Sequence, residues 1–148
     1  MATVKQLMSA KSDGVNYFVA STDTVLKALA IMADANISAV MVTENDKIVG
    51  IFTERDYSRK GEIKDLSAKS TLVRDLMTEK MITVTPETSM DQCMGLMQQY
   101  RIRHLPVIEN DTMVGIVSMR DVVDTILSDR ESTIKGLENY ILGSGFAT

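Results

Sequence analysis

Residues 37–56, ISAVMVTENDKIVGIFTERD, return sixty-five positions later as residues 102–121, IRHLPVIENDTMVGIVSMRD. Each copy is an apolar run, Glu-Asn-Asp, Val-Gly-Ile, and then a hydroxyl residue followed two positions later by Arg-Asp. The match runs without a gap from Tyr17 to Ser58, pairing Val19 with Val84, Met32 with Met97 and Gly50 with Gly115. Upstream, VKQLMS from Val4 matches VRDLMT from Val73, so the first copy carries four extra residues around Ser12 to Val15. Two copies are too few for a solenoid. They imply a pseudo-twofold pair in which each half covers the other's apolar face. The expected division is a first unit over residues 1–60, a polar linker over 61–70 (GEIKDLSAKS), a second unit over 71–129, and a C-terminal helix and tail over 130–148.

Each unit reads as strand, helix, strand, strand, helix, which makes the fold class α/β (α+β). In the second copy MITV is a short strand, and Thr85 is an expected N-cap with Pro86 at N1 and Glu87 in the first turn. Met90, Cys93, Met94 and Met97 then recur at helical spacing as a buried stripe, with core packing the plain reading of the cysteine. HLPVIE and TMVGIV flank Asn110-Asp111, a hairpin turn signal. Gly115 inside the second run leaves room for a bend or a close approach. Ser118 caps a helix through Val122, Val123, Ile126 and Leu127. The first copy repeats this order with Phe18-Val19, a helix from about Thr22 to Ala35, AVMVT, KIVGIF and a helix opening at Thr53. Near the C-terminus Ile134, Leu137 and Ile141 share a helical face ending at Gly143, and Gly136 within it costs about 1 kcal/mol relative to alanine.

Composition narrows the chemistry. Hydrophobic residues are 45% and charged residues 24% of 148, the balance of a soluble globular chain. No apolar stretch has the length of a membrane span, and MATVKQLMSAKSDG lacks the apolar core of a secretory leader. A net charge of −4 argues against binding nucleic acid or an anionic membrane. One cysteine and one histidine give neither a disulfide framework nor a zinc spacing. The expected compartment is the cytoplasm, with a processed organellar form as the other possibility. No P-loop, G-x-S-x-G or G-x-G-x-x-G is present, and no metal site is expected.

The chemistry sits where the repeats end. Thr53 with Asp56, and Ser118 with Asp121, lie three residues apart at a helix start. Hydroxyl-x-x-acid is a common capping pattern, and duplication copies a cap as faithfully as a binding site. The same geometry suits a ligand: helix N–H groups favour phosphate, the acid can accept from two vicinal hydroxyls, and Arg55 and Arg120 add charge-assisted donors. Arg101 and Arg103 alternate along an extended segment toward the same place, or else form a solvated edge. His104 adjoins them with no nucleophile in sight, which suits lining a planar ring better than catalysis.

RIRHLPVIENDTMVGIVSMRDVV, DLMTEKMITVTPETSMDQCMGLMQQ and GIFTERDYSRK together resemble a tandem pair of cystathionine-β-synthase (CBS) domains, a Bateman module, over nearly the whole chain from Val4 to Leu127. The resemblance implies paired β-α-β-β-α units with clefts that hold adenine nucleotides or related adenosyl compounds. It maps the ribose-binding hydroxyl-x-x-Asp onto Thr53/Asp56 and Ser118/Asp121. It maps the adenine-reading strand onto Ser38, Ala39 and Val40 in one copy and Arg103, His104, Leu105 and Pro106 in the other. A further polar contact falls on Thr83, whose counterpart is Phe18 beside Tyr17. SAVM in place of RHLP implies unequal sites, with the Ser118/Asp121 side preferring a phosphorylated ligand. The implied function is a non-enzymatic sensor of AMP, ADP, ATP or NAD(H) that reorients its halves and signals to an unknown client, as a homodimer. A ligand-independent scaffold and a nucleotide-converting enzyme are the alternatives.

Overall fold

The computed structural model describes residues 2–10 and 17–141; the extra residues of the first copy and Gly143 lie outside them. In chain order the elements are α1 (Val4–Ala10), β1 (Phe18–Ala20), α2 (Val25–Ala35), β2 (Ala39–Glu44), β3 (Lys47–Thr53), α3 (Glu54–Asp56) continuing as a π-helical stretch (Tyr57–Glu62), α4 (Val73–Leu76), α5 (Met90–Tyr100), β4 (His104–Glu109), β5 (Thr112–Ser118) and α6 (Met119–Ile141). This is the expected α+β architecture, with two small sheets, β1-β2-β3 and β4-β5.

The division into compact units does not follow the repeat boundaries. One unit holds residues 1–13 with 83–148, and the other holds 14–82. The cause is a reciprocal exchange of leading segments. Val4 N–H donates to the Thr88 carbonyl at 2.8 Å, Lys5 N–H to Pro86 at 2.8 Å, and Met90 N–H to Ala2 at 3.0 Å. In the other unit Val73 N–H donates to Asp23 at 2.9 Å, Arg74 N–H to Ser21 at 3.0 Å, and Val25 N–H to Thr71 at 2.9 Å. These are the same three bonds, copied with the repeat. Val4 and Val73 are both fully buried. Thus α4, which opens the second repeat in sequence, completes the core of the first with Val73 and Leu76 beside Val25, Met32, Val40 and Phe52.

Residues 61–70, expected as a linker, are mostly exposed, and their backbone is tied to the first unit at particular places. Gly61 is buried, Ala68 lies against the core, and the carbonyls of Ala68 and Thr71 take the N–H groups of Leu26 and Val25 that open α2.

Local signals explain most element ends. Thr24 caps α2 by accepting from Lys27 N–H, and Ser89 caps α5 in a reciprocal box with Gln92. The start of α5 at Met90 corrects the expected cap at Thr85: Ser89 offers the full Ser-x-x-Gln box, whereas Thr85 N–H donates to the Thr88 hydroxyl in a turn before it. Both α2 and α5 end on a left-handed residue, Asn36 at φ 55° and Arg101 at φ 55°. Arg101 is therefore a helix C-cap and not part of an extended edge. MITV contributes one parallel bridge, Val84 to Val107, where the first copy keeps the three-residue β1. Both hairpins turn on positive-φ Asn-Asp pairs, and both ladders shift register at matching places, Val42/Thr43 and Val107/Ile108.

Cys93 is fully buried, and burial pushes its thiol up to about 11, so it is a neutral core residue near pH 7. The helix opened by Ser118 runs unbroken for 23 residues and absorbs the separately expected C-terminal helix. No helix of the described residues is long and apolar enough to cross a membrane.

Two glycines should respond oppositely to alanine. A Cβ on Gly50 would meet the Thr78 carbonyl oxygen at 2.8 Å, where Ile51 and Thr78 exchange both backbone hydrogen bonds. A Cβ on Gly136 would meet nothing within 4 Å. Chemical denaturation is expected to show Gly50→Ala losing about 1–3 kcal/mol and Gly136→Ala gaining up to about 1 kcal/mol.

Candidate functional site

The two hydroxyl-x-x-Asp motifs are both helix caps, but they are differently furnished. In the first, Thr53 N–H donates to Asp56 Oδ2 at 3.0 Å, while Asp56 N–H donates to Thr53 Oγ1 at 3.0 Å. The Thr53 hydroxyl adds a bond to Oδ2 at 3.2 Å. The other oxygen, Oδ1, receives the Thr78 hydroxyl at 3.1 Å and the Lys60 ammonium at 3.0 Å. Asp56 is 9% exposed. A carboxylate offers about four lone-pair sites, and four protein donors occupy them here.

Lys60 is equally committed. Its Nζ also donates to the Leu76 carbonyl at 3.1 Å and reaches Thr78 Oγ1 at 3.3 Å. Three acceptors thus meet the three donors of an ammonium. Sequence reading missed both Lys60 and Thr78. The lysine had a signal, four residues beyond an aspartate on one helix face. Thr78 had none, because the exchange of leading segments brings it there.

The second cap keeps the reciprocal pair. Ser118 N–H donates to Asp121 Oδ2 at 2.9 Å, and Asp121 N–H donates to Ser118 Oγ at 3.1 Å. Asp121 and Ser118 are half-buried, and the position matching Lys60 is Thr125. His104 lies opposite Ser118 in the β4–β5 ladder, and Met119 N–H donates to the Arg103 carbonyl at 2.8 Å. On the other side of β4, Val84 N–H donates to Pro106 and its carbonyl accepts from Ile108, which sets Thr83 on the adjoining segment. Thr83, Arg103, His104, Ser118, Arg120 and Asp121 therefore belong to three neighbouring backbone segments. Arg103 and Thr83 are exposed. Arg120 is 84% exposed, with Nε 3.9 Å from Asp124.

The matching residues of the first copy follow the same plan. Glu54 N–H donates to the Ser38 carbonyl at 3.1 Å, Ala39 lies opposite Thr53, and the Tyr17 carbonyl accepts from Met41. Tyr17, Ser38 and Arg55 are exposed. Ala39, Val40, Leu105 and Pro106 are buried, so the structure places their side chains in cores and leaves their backbones as what a planar ring could meet. Among the described residues no group of three or more His, Cys, Asp and Glu could hold a metal ion.

Two βαββα units, each with a hydroxyl-x-x-Asp cap where its last helix opens, define a Bateman-type tandem module. The chain belongs to the CBS domain family, whose model matches residues 4–61 and 73–128. It is 41% identical over 149 aligned residues to the mitochondrial CBS domain-containing protein CBSX3 of Arabidopsis thaliana, covering 95% of this chain and 72% of that one. A protein with CBS domains from Burkholderia ambifaria MC40-6 superposes with a TM-score of 0.84 at 41% identity, over 86% of this chain and 96% of the other. The CBS domain pair of protein MJ0100, solved with 5-methylthioadenosine and S-adenosyl-L-methionine, shares the fold at 23% identity and a TM-score of 0.73, over 84% of this chain and 99% of that one. The protein is a CBS-pair regulatory module.

Proposed function

We propose that the module is a non-enzymatic sensor of adenine nucleotides, AMP, ADP, ATP or NAD(H), held by the Ser118/Asp121 cradle. The observation that carries this reading is the convergence of Thr83, Arg103, His104, Ser118, Arg120 and Asp121 on three adjacent segments of one unit. The capped helix opening and two exposed arginines suit a phosphate, Asp121 suits vicinal ribose hydroxyls, and the backbone beside His104 suits an adenine edge. The adenosyl ligands of the MJ0100 pair support the ligand class. The arginines favour a phosphorylated member of it.

Thermal unfolding with each of AMP, ADP, ATP, NADH and S-adenosylmethionine tests the reading. A ligand at a hundred times its dissociation constant adds about 2.7 kcal/mol, a shift of several degrees for a chain this size. The shift is expected to vanish in Asp121→Ala. Arg103→Ala or Arg120→Ala should weaken binding about ten- to a hundredfold, the worth of one charge-assisted bond of about 1.5–3 kcal/mol. New products after incubation would point instead to an enzyme.

A second reading, a ligand-independent dimeric scaffold for a client protein, is favoured by α6, where Val123, Leu127, Ile134 and Leu137 are 40–59% exposed. It expects no shift with any nucleotide. The sensor works in the cytoplasm in our reading; the mitochondrial relative makes an organelle the competing location.

A further inference from the structure

We propose that the far half of α6 is a self-association surface, along which a second copy of this chain lays its own α6 antiparallel. The pairing needs no nucleotide and supplies a contact surface that extends beyond the CBS repeats.

The matched family region ends at residue 128, yet α6 continues without a break to Ile141. Its first turns are anchored, with Val122 fully buried. Leu127 and the described side chains beyond it, as far as Glu138, are exposed. From there to its end the helix is about 22 Å long, a length that is marginal for a helix alone in water, and Gly136 lowers its propensity further. What it carries is a seam. Val123, Leu127, Arg130, Ile134 and Leu137 follow one another at steps of 4, 3, 4 and 3 residues, the a/d alternation of a coiled coil. The four apolar members are 40–59% exposed. Asp124, Glu131 and Glu138 run along one edge of the seam, and Thr133 lies on the other. A helix docked on a globular core shows a broader apolar face than this, whereas a narrow seam with charged flanks suits a second helix.

Arg130 selects the partner and its direction. A charge at a seam position lowers stability but specifies register and orientation. In a parallel pair each seam residue meets its own counterpart, which sets Arg130 against Arg130. In an antiparallel pair of two copies Leu127 meets Leu137 and Arg130 meets Ile134, with the Glu131 of each copy in reach of the other's Arg130. Two arginines and two glutamates then alternate near the twofold axis, where each guanidinium has a carboxylate partner. Such a contact is isologous, so it closes at two copies. A foreign helix would have to bring an acid to that place, and this chain already has one.

Sedimentation equilibrium on the full chain without nucleotide tests the pairing, with circular dichroism on every variant. The wild type is expected to dimerise. Leu127→Asp combined with Leu137→Asp should weaken the dimer at least about a hundredfold, and both positions are exposed, so the two units should stay folded. Arg130→Glu is expected to weaken it as well, and adding Glu131→Arg to restore it. Because Cys93 is buried, an introduced cysteine reports contact between copies by disulfide formation in air. Glu131→Cys should link two copies, whereas Leu127→Cys should link only when Leu137→Cys is added. A wild type that stays monomeric would overturn the proposal, and so would a dimer that the paired aspartates leave intact. Linking through Leu127→Cys alone, or a charge exchange that restores nothing, would overturn the antiparallel arrangement.

Discussion

Removing residues 1–10 is expected to loosen the half of the protein farthest along the chain. Those residues supply fully buried Val4 and three backbone hydrogen bonds to residues 86–90. Burial of the valine is worth about 1.5–3 kcal/mol, and each hydrogen bond about 1 kcal/mol net. The Met90 amide and the Thr88 and Pro86 carbonyls lose their partners together. Hydrogen exchange should show amides of α5, β4 and β5 opening many times faster in the truncated protein, with α2, β2 and β3 changed far less. Faster exchange confined to residues 17–82 would contradict the exchange of segments. So would equal acceleration everywhere.

Asp56→Ala should destabilise more than Asp121→Ala, although the two sit at the same place in the repeat. Losing a cap costs about 1 kcal/mol, a loss common to both positions. At position 56 the substitution also strands the Lys60 ammonium among the Leu76 carbonyl and Thr78, and it removes the acceptor of the Thr78 hydroxyl. Breaking a buried pair from one side costs about 3–5 kcal/mol, but the Lys60 side chain is 41% exposed and solvent screens part of that. A total near 2–3 kcal/mol is expected from urea denaturation. Adding Lys60→Met to Asp56→Ala should recover part of it, since the stranded charge goes with the lysine. Equal losses at the two aspartates would mean that the network around Asp56 carries no weight.

What could be read from the residues was local and repeated. The hairpins at Asn45-Asp46 and Asn110-Asp111, the methionine stripe of α5 and both hydroxyl-x-x-Asp caps follow from spacing and turn chemistry alone. The start of α5 was misread because Thr85-Pro86-Glu87 and Ser89-Met90-Asp91-Gln92 are both helix openings. Only reciprocal bonding by Gln92 decides between them. The polar side chains of 61–70 read as a linker, and the bond from Leu26 N–H to the Ala68 carbonyl was not legible in them. The proposed site was drawn from residues that spacing and resemblance single out, Ser118, Asp121 and the segment from Arg103 to Leu105. Its inequality was legible only as a matter of arginines. A further difference lies in Lys60, where the second copy has Thr125, and Thr78 reaches Asp56 from 22 residues away through an exchange that no periodicity announces.

That exchange also limits how such a chain can have arisen. A half-length ancestor with one leading helix and one βαββα body, built on this plan, has its helix placed for a body other than its own. Alone it leaves a row of helix-opening amides and carbonyls unpaired and a core without its last valine. Two such chains, lending helices to each other, restore those bonds and that valine. Fusion of the gene in tandem then turns an obligatory partnership into a single molecule without inventing one new contact, and frees the two copies to differ, as a lysine in one and a threonine in the other now do.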